Sequence, residues 1–450
     1  MDATIERIAT YAHGLTFESL TTKAVHEAKR RLIDALGCGL GGYDDEPCRI
    51  ARKLASRASV EGGARILGTA HRTLPELAAF ANGVLVRYLD GNDTLPGGGG
   101  HPSDVMAPTL AVGESVRADG RELITSMALA YEVYYAFFRG ACMRDRGMDH
   151  VLYTAVASAV GAGKLLGLDP VKLGHAVALA VTPNIALHAT RRGDLSMWKG
   201  VAAGNAARNG VFAALLAAEG MSGPANAIEG SHGLRELTGT FELGELAPAG
   251  GDFKVAQSNL KFFLSEYHSQ NPITLALQLS RDVEVEDIES VTIHTYWFAW
   301  HEIGSEPEKW HPTTRESADH SLPFIVSAVL IDGAFSDAIF SAERIRDARV
   351  HALADKVSVQ EDPAFTKRFS AEIPCRVEIR TRRGEVKTAS ADFPRGHFRN
   401  PMTDDEVESK FRMLAGRYLP TERVDAALKT LWALERMKDC GLVLDALEKR

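Results

Sequence analysis

A loop between residues 90 and 104 concentrates side chains that could move protons. Its sequence, DGNDTLPGGGGHPSD, follows an apolar segment and precedes another. The glycine run disfavours a helix, because each glycine costs about 1 kcal/mol relative to alanine, and it lets the backbone approach a ligand. A histidine among carboxylates is suited to accepting or donating protons at neutral pH. We therefore predict an active-site loop rather than a flexible polar linker. Its candidate groups are the titratable side chains of Asp90, Asp93, His101 and Asp104 and the hydroxyl of Thr94.

The same loop raises the alternative of a metal site. Asp90, Asp93 and Asp104 together with His101 would suit a hard or mixed metal ion. No His–Glu pair at helical i, i+4 spacing lies near the loop to support such a site. We therefore predict that no metal ion is bound.

Three cations lie close together in the stretch RRGDLSMWK. Arg191 and Arg192 can each hold a carboxylate through two parallel N–H bonds, and Lys199 supplies a point charge. A charged, solvated approach to the next helix is the alternative, but the stretch lies between two strongly apolar segments. A helix starting at Gly200 would add anion affinity at its N-terminus. The stretch is therefore predicted to bind an anionic substrate.

Two further stretches contain candidate binding residues. In NLKFFLSEYHSQ, Lys261 and His268 stand near the expected domain junction, where ligands often bind; a linker helix is an equal alternative. In TTRESADHSLP, His320 is a candidate, whereas the plainer reading is a loop in which Ser321 caps the next helix. Isolated histidines, for example His188, are taken as structural.

Composition limits the class of protein. The chain has 450 residues, 45% hydrophobic and 24% charged, with a formal net charge of −8. These values are typical of a globular protein with a large core. The acidic balance and the lack of a basic stripe argue against a nucleic-acid partner. The five cysteines show no CxxC spacing and indicate packed, reduced thiols in the cytoplasm. Neither a signal peptide nor a membrane span is predicted.

Hydrophobic periodicity predicts a mainly α fold. Helices are expected over residues 23–40, 46–56 and 74–89, over most of 105–220, and after Thr403, which forms a capping box with Glu406. A strand is predicted within 285–300, a hairpin around Arg383–Gly384 and helix over 341–357. The expected domains are a helical one from residues 1–268 plus 396–450, and an inserted α+β lid from 269–395.

Taken together, the motifs resemble those of the MmgE/PrpD family. The segments RYLDGNDT…HPSD, RRGDLSMWKG, LKFFLSEYHSQ, TRESADHSLP and NPMTDDEVESKF are similar to family blocks and occur in family order. The resemblance is closest to the 2-methylcitrate dehydratase branch. It implies a homodimer and no metal or organic cofactor, and the lack of a membrane-spanning apolar run argues against a membrane partner. By motif position it carries over Asp90, Thr94, His101, Lys199 and Lys261 as site residues, and more loosely His150.

The resemblance also implies a substrate class, a di- or tricarboxylate. Loss of a proton next to a carboxylate builds up negative charge, which the cations at 191–199 and Lys261 would neutralise. His101 and Asp90 are the expected acid–base pair, with Thr94 orienting the substrate. The expected reaction is cofactor-independent dehydration of 2-methylcitrate to 2-methylaconitate. Decarboxylation or epimerisation of a related acid, polycarboxylate binding without catalysis, and metal-dependent hydrolysis are the alternatives.

Overall fold

Helices make up most of the structure. The structure is a computed structural model, and it describes residues 1–95, 99–141, 143, 146–193 and 195–449. Helix accounts for 57% of it and strand for 8%, which confirms the predicted mainly α class. The α-helices are α1 (Ala3–Gly14), α2 (Thr22–Gly41), α3 (Glu46–Ala55), α4 (Pro75–Tyr88), α5 (Met106–Ser115), α6 (Gly120–Gly140), α7 (Val151–Leu165), α8 (Pro170–Val181), α9 (Trp198–Ala218), α10 (Leu234–Thr238), α11 (Gln270–Leu279), α12 (Trp297–Ile303), α13 (Arg315–Asp319), α14 (Leu322–Asp332), α15 (Ala342–Ile345), α16 (Ala348–Ala354), α17 (Pro363–Arg368), α18 (Asp404–Ala415), α19 (Thr421–Trp432) and α20 (Leu442–Leu447). The strands are β1 (Ala64–Arg65), β2 (Arg72–Thr73), β3 (Ile288–Thr295), β4 (Val357–Glu361), β5 (Cys375–Thr381) and β6 (Val386–Ala391).

The larger hydrophobic core draws on both ends of the chain. Its buried residues run from Ile5 to Leu264 and again from Met402 to Leu447. Helix α18 packs along α2, where the ring of Phe411 would lie 3.1 Å from a Cβ added to Gly37. Helices α7 and α9 are rich in alanine and glycine and pack against each other and α8. The capping box predicted at the start of α18 is present, with Thr403 Oγ1 accepting from the Glu406 N–H at 3.2 Å.

Helices α4 and α9 approach each other closely because glycines occupy the contact. A Cβ added to Gly83 would lie 2.9 Å from the Cα atom of Gly204. A Cβ added to Gly204 would lie 2.7 Å from the carbonyl oxygen of Phe80. The small residues at this contact thus allow the two helix backbones to pack closely. The contact bears on the site, because α4 leads into Asp90 and α9 carries Lys199 in its first turn.

A second hydrophobic core lies around a four-stranded sheet and helices α11 and α14. The strand order is β4-β3-β5-β6; β3 pairs with β4 in parallel and with β5 antiparallel. The hairpin predicted around Arg383–Gly384 is confirmed as β5–β6, with Gly384 in the left-handed region at φ +83°. The strand predicted within 285–300 is also confirmed, but it ends at Thr295 and α12 follows.

The continuous helical stretch expected over residues 341–357 is wrong in detail. It is divided into α15 and α16, because Asp347 leaves the helical conformation and its side chain accepts from the Arg349 N–H, capping the second helix. Strand β4 then begins at Val357, which the sequence reading had placed in the helix. Within the described residues, no helix combines the length and apolar character that crossing a membrane requires.

Candidate active site

A cavity lined mainly by titratable side chains is built by segments that are far apart in the chain. The loop after α4 contributes Asp90, Thr94 and His101, and the segment after Asn259 contributes Lys261, Glu266 and His268. The remaining polar lining residues are Arg87, His150, His188, Arg191, Tyr267, Glu302 and His320. The cavity therefore collects eight of the ten residues that the sequence singled out.

Asp90 is the centre of a buried ion network. Its Oδ1 accepts from Nη1 of Arg87 at 2.6 Å and from Nζ of Lys261 at 2.7 Å, and its Oδ2 accepts from Nζ of Lys199 at 3.0 Å. Burial raises the pKa of the Asp90 carboxyl, but the three cations together hold this pKa well below its usual range. Asp90 is therefore a carboxylate at neutral pH, which disfavours it as the proton donor of an acid–base pair.

Asp90 also has an uncommon backbone conformation for a non-glycine residue, with φ at +53°. Nζ of Lys261 binds the carbonyl oxygen of Asp90 at 2.7 Å in addition to its side chain. Lys410 also holds this loop in place, because its Nζ donates hydrogen bonds to the carbonyl oxygens of Gly91 and Lys261. Lysines from distant parts of the chain thus fix the conformation that turns the Asp90 carboxylate towards the cations.

Lys199 links the loop after α4 to the end of α13. Its Nζ lies 3.0 Å from Oδ2 of Asp90 and 2.9 Å from Oδ2 of Asp319, which ends α13. Asp90, Asp319 and His320 bring potential metal ligands within 4.8 Å of one another. These donors fit a metal ion poorly, because an ammonium group already lies between the two carboxylates and would repel a second cation. Lys199 contacts Asp90 but is not itself among the residues lining the cavity.

His101 presents a nitrogen that can accept a proton. Its Nδ1 lies 2.7 Å from the carbonyl oxygen of Asp93, which can only accept, so Nδ1 carries the hydrogen. Nε2 then accepts from Nη2 of Arg87 at 2.9 Å. Burial, together with the charges of Arg87 and Lys261, holds the pKa of His101 well below its usual range. His101 is therefore a neutral imidazole whose lone pair is engaged by Arg87.

His150 stands beside His101, with the ring centroids 5.4 Å apart. Its Nδ1 lies 2.8 Å from Oδ1 of Asp149, which places the acceptor nitrogen at Nε2. That Nε2 is buried and has no hydrogen-bond partner within the described part of the chain. Burial lowers the pKa of His150 to about 4, although Asp149 opposes this change. The imidazole is thus neutral, with a free lone pair.

Arg191 lines the cavity and has a fixed guanidinium group. Its Nε donates to Oδ2 of Asp149 at 3.1 Å, and its Nη1 donates to the carbonyl oxygen of Lys199 at 3.2 Å. Its Nη2 is buried and finds no partner among the described residues. Arg192 was predicted to bind the same substrate, but it lies outside the lining residues. It is exposed and donates to Nε2 of His301 at 3.0 Å, because the chain turns its side chain outwards.

Glu266 is a carboxyl group that the sequence reading did not select. It is largely buried, and its Oε2 accepts from the His268 N–H at 2.6 Å. Oε1 lies 3.7 Å from Nε2 of His268, and Nδ1 of His268 makes a short contact with the Tyr296 hydroxyl. Burial raises the pKa of Glu266 to about 8; the charge of Lys261 opposes this shift, and those of Asp90 and Asp319 reinforce it.

Thr94 and His320 complete the set of predicted residues. Thr94 Oγ1 donates to the carbonyl oxygen of Gly100 at 3.0 Å, so towards a ligand it can only accept. His320 has Nδ1 3.3 Å from Oδ2 of Asp319, and burial lowers its pKa to about 4. Ser321 caps α14 as predicted, with Oγ accepting from the Phe324 N–H. In the glycine run, Gly97 and Gly98 lie outside the described residues.

Several functional positions escaped the sequence reading. Arg87 stands three residues before Asp90 on α4, and this i, i+3 spacing of opposite charges was the available signal. Asp149 directly precedes His150, and an Asp–His dipeptide at a helix start was a further signal. His188 was taken as structural, yet it lines the cavity. No sequence signal marked Glu302, whose place in the cavity depends on how the second core packs.

Comparison with known proteins agrees with the motifs. Residues 6–242 match the MmgE/PrpD N-terminal domain, and residues 263–434 match the MmgE/PrpD C-terminal domain. A 2-methylcitrate dehydratase of Salmonella typhimurium is 28% identical over 91% of this chain and 89% of its own length. The corresponding protein of Escherichia coli is 29% identical over 92% and 91%. A human cis-aconitate decarboxylase is 26% identical over 98% and 94%.

The two family matches include most of the residues that line the cavity, whereas Lys261 lies between the two matched ranges. The two family matches include Asp90, His150 and Lys199 in the first part and Glu266 and Asp319 in the second. The prediction of an enzyme related to the hydro-lyases is confirmed by relatives that cover most of the chain. The chain belongs to the MmgE/PrpD family.

Proposed function

We propose that the protein is a hydro-lyase that removes water from a hydroxy-tricarboxylate, with 2-methylcitrate as the first candidate substrate. One observation carries this proposal: fixed guanidinium and ammonium groups face the same cavity as two neutral imidazoles with acceptor nitrogens. Cations that are already in place stabilise the charge that develops when a proton leaves a carbon next to a carboxylate. The relatives named as 2-methylcitrate dehydratases support the choice of substrate.

Arg191, Lys261 and Arg87 are the proposed carboxylate-binding groups. Arg191 offers an Nη2 that no described residue engages, so it can bind a substrate carboxylate without breaking an internal contact. Lys261 and Arg87 are held by Asp90, which keeps their charges inside the cavity before substrate arrives. Thr94 accepts from a substrate hydroxyl group and so orients it. Lys199 acts through Asp90 and Asp319 by fixing their positions.

His150 is the proposed base. Its free Nε2 can take the proton of the reacting carbon directly, whereas Nε2 of His101 can do so only after its hydrogen bond from Arg87 breaks. Asp149 holds the His150 ring and stabilises the imidazolium that forms. His101 then serves to position Arg87. This assignment keeps both histidines in the site but exchanges the roles that the motifs suggested.

The decisive assay is appearance of the absorbance of an unsaturated acid when pure, metal-stripped protein meets 2-methylcitrate or citrate. We expect turnover without added metal or organic cofactor. The adjacent arginines give a matched pair of variants, because only Arg191 lines the cavity. Loss of one charge-assisted hydrogen bond is worth about 1.5–3 kcal/mol. We therefore expect Arg191→Ala to lower kcat/KM about 10- to 100-fold, and Arg192→Ala to leave it within about twofold.

Other outcomes identify the alternatives. Release of CO₂ without water loss would show a decarboxylase, which the human relative's name suggests. Loss of optical rotation with no new absorbance would show an epimerase. Thermal stabilisation by tricarboxylates without turnover would show a binding protein. Activity that disappears on chelation and returns with a metal ion would show that the reading of the Asp90, Asp319 and His320 group is wrong.

We further propose that residues 269–395 form a lid, since they have their own core and contribute His320 and Glu302 to the cavity. We also propose a homodimer. A groove along α7 and α9 exposes Ile185, Leu187 and Trp198, and apolar patches of this kind mark interfaces. Light scattering after size exclusion tests the dimer, and Leu187→Glu is expected to yield monomers.

A cytoplasmic location is proposed from the cysteines. Cys38, Cys48, Cys375 and Cys440 are buried and free, as in proteins of reducing compartments. Fractionation of cells that produce the full chain tests this point; recovery in an oxidising compartment would contradict it.

A further inference from the structure

Dehydration needs a proton donor as well as a base, because hydroxide is a poor leaving group. The acid–base candidates assigned so far, Asp90, His101 and His150, are proton acceptors. Asp90 is ionised, and the Nδ1 atoms of His101 and His150 lie 2.7 and 2.8 Å from oxygen acceptors, which leaves their Nε2 atoms as lone pairs. The Tyr267 hydroxyl is buried, and burial raises its pKa well above 10, so it donates protons poorly. Glu266 is a further titratable group that lines the same cavity.

Glu266 has the geometry of a proton donor. Its Oε2 accepts from the His268 N–H at 2.6 Å, so a proton on the carboxyl group is placed on Oε1. Oε1 lies 3.7 Å from Nε2 of His268, too far for a hydrogen bond, and the side chain lines the cavity. The backbone N–H of Glu266 donates to Oδ1 of Asp319 at 3.0 Å, which fixes the position of the residue. An O–H group on Oε1 is thus available to a bound ligand.

The surroundings favour the protonated form. Among the charged groups that face Glu266, Lys261 favours the carboxylate, whereas burial and the negative charges of Asp90 and Asp319 oppose it. The resulting pKa of about 8 means that the carboxyl group retains its proton at neutral pH. His268, on the same segment, donates its backbone N–H to Oε2 and partly offsets this effect.

We propose that Glu266 is the general acid that protonates the departing hydroxyl group, an inference that rests on the proposed dehydration. Nε2 of His150 takes the proton from the carbon, and that electron pair forms the new double bond. The C–O bond breaks, and the oxygen leaves as water with the proton from Oε1 of Glu266. His150 is then positively charged and Glu266 negatively charged, and proton exchange with solvent returns both to their starting states. No oxidant or further reactant is required.

A leaving-group comparison tests this role. In an analogue with fluorine in place of the hydroxyl group, the leaving group needs much less help from an acid. Proton donation is worth about 10²- to 10⁴-fold in rate. We expect Glu266→Gln to lose that factor on the hydroxy acid and less than about tenfold on the fluoro analogue. His150→Ala is the matched control, because both substrates need the base, and it should lose activity equally on both.

The pH profile is a second measurement. Wild-type kcat/KM should fall above about pH 8 as Glu266 loses its proton, and Glu266→Gln should lack this basic limb. Glu302→Gln, which changes another carboxyl group of the same cavity, should keep the limb. Equal losses by Glu266→Gln on both substrates, or a basic limb that persists in this variant, would overturn the assignment. Failure of the wild-type protein to dehydrate any hydroxy-tricarboxylate would instead overturn the proposed function.

Discussion

Replacing Lys199 by methionine removes the charge that links Asp90 to Asp319 while keeping a side chain of similar length. The two carboxylates would respond differently. Asp90 keeps Arg87 and Lys261 as partners, at 2.6 and 2.7 Å. Asp319 would keep only the Glu266 N–H and His320 among its described partners. The cost of the substitution should therefore arise mainly at Asp319, where a buried carboxylate loses its cation.

The size of the effect follows from this asymmetry. Breaking a buried ion pair by removing one partner costs about 3–5 kcal/mol. For 450 residues that unfold as one unit, the entropy of unfolding is about 1 kcal/mol/K, so Tm should fall by about 3–5 °C. In the wild-type protein, burial raises the pKa of Asp319, but the charge of Lys199 opposes burial, and the net pKa lies below its usual value. The Asp319 carboxylate is therefore ionised and stabilises the fold at pH 5 and above.

In Lys199→Met the pKa of Asp319 should rise above its unfolded value, because burial then acts without the cation. The folded state would bind a proton that the unfolded state does not, and stability would increase as pH falls. The Tm deficit should thus be smaller at pH 5 than at pH 7.5. Calorimetry at both pH values measures this change.

The double variant Lys199→Met with Asp319→Asn separates stability from catalysis. It removes the unpaired charge, so it should recover at least about 1 kcal/mol of the lost stability. Its activity should stay low, because Asp90 lacks one of the three cations that fix it. A single variant with wild-type Tm at pH 7.5, or a double variant no more stable than the single one, would refute the argument.

Two further predictions concern packing and pH. Gly204→Ala would place a methyl group 2.7 Å from Cγ2 of Val84. We expect the free energy of unfolding to fall by about 1–3 kcal/mol and kcat/KM to fall because a shift of α9 moves Lys199. Wild-type Tm and activity in this variant would show that the helices can separate without cost. Because His150 must be neutral to act as a base and burial lowers its pKa to about 4, kcat/KM should stay level from pH 7 to about 5 and fall near pH 4. An acidic limb at the ordinary histidine pKa of about 6.5 would contradict the observed burial. Since an unfolded His150 binds a proton between about pH 6.5 and 4 and the folded one does not, His150 should also lower Tm progressively across this window.

Much of the fold was readable from local patterns. Helix α2 was predicted over 23–40 and extends from Thr22 to Gly41, because its apolar face and the glycines after it mark both ends. The β5–β6 hairpin was readable from alternation and from the turn at Gly384. Strand β4 was not, since it is only five residues long, only two residues separate it from α16, and its parallel partner β3 lies far away in the chain.

The site was predictable only where residues are close together in sequence or in a familiar motif. Asp90, His101 and Lys261 were found in this way. Whether a side chain faces the cavity depends on packing, which is why adjacent Arg191 and Arg192 could not be told apart. The state of a carboxyl group depends on neighbours contributed by other segments. For this reason Asp90 was expected to be able to give up a proton, and Glu266 was overlooked.

The buried carboxylates also determine how tightly the cavity can hold its ligand. Asp90 and Asp149 hold Arg87, Lys261 and Arg191 before any substrate enters. At Arg87 and Lys261 an incoming carboxylate must compete with Asp90 for the same N–H groups, whereas Nη2 of Arg191, which no described residue engages, stays available. Asp90 therefore competes with the substrate carboxylates for these two cations. The two aspartates keep the cations aligned, and for the proposed polycarboxylate reaction they would lower the affinity for substrate and product alike. Uniform binding of this kind does not raise kcat, so lowering it would speed product release.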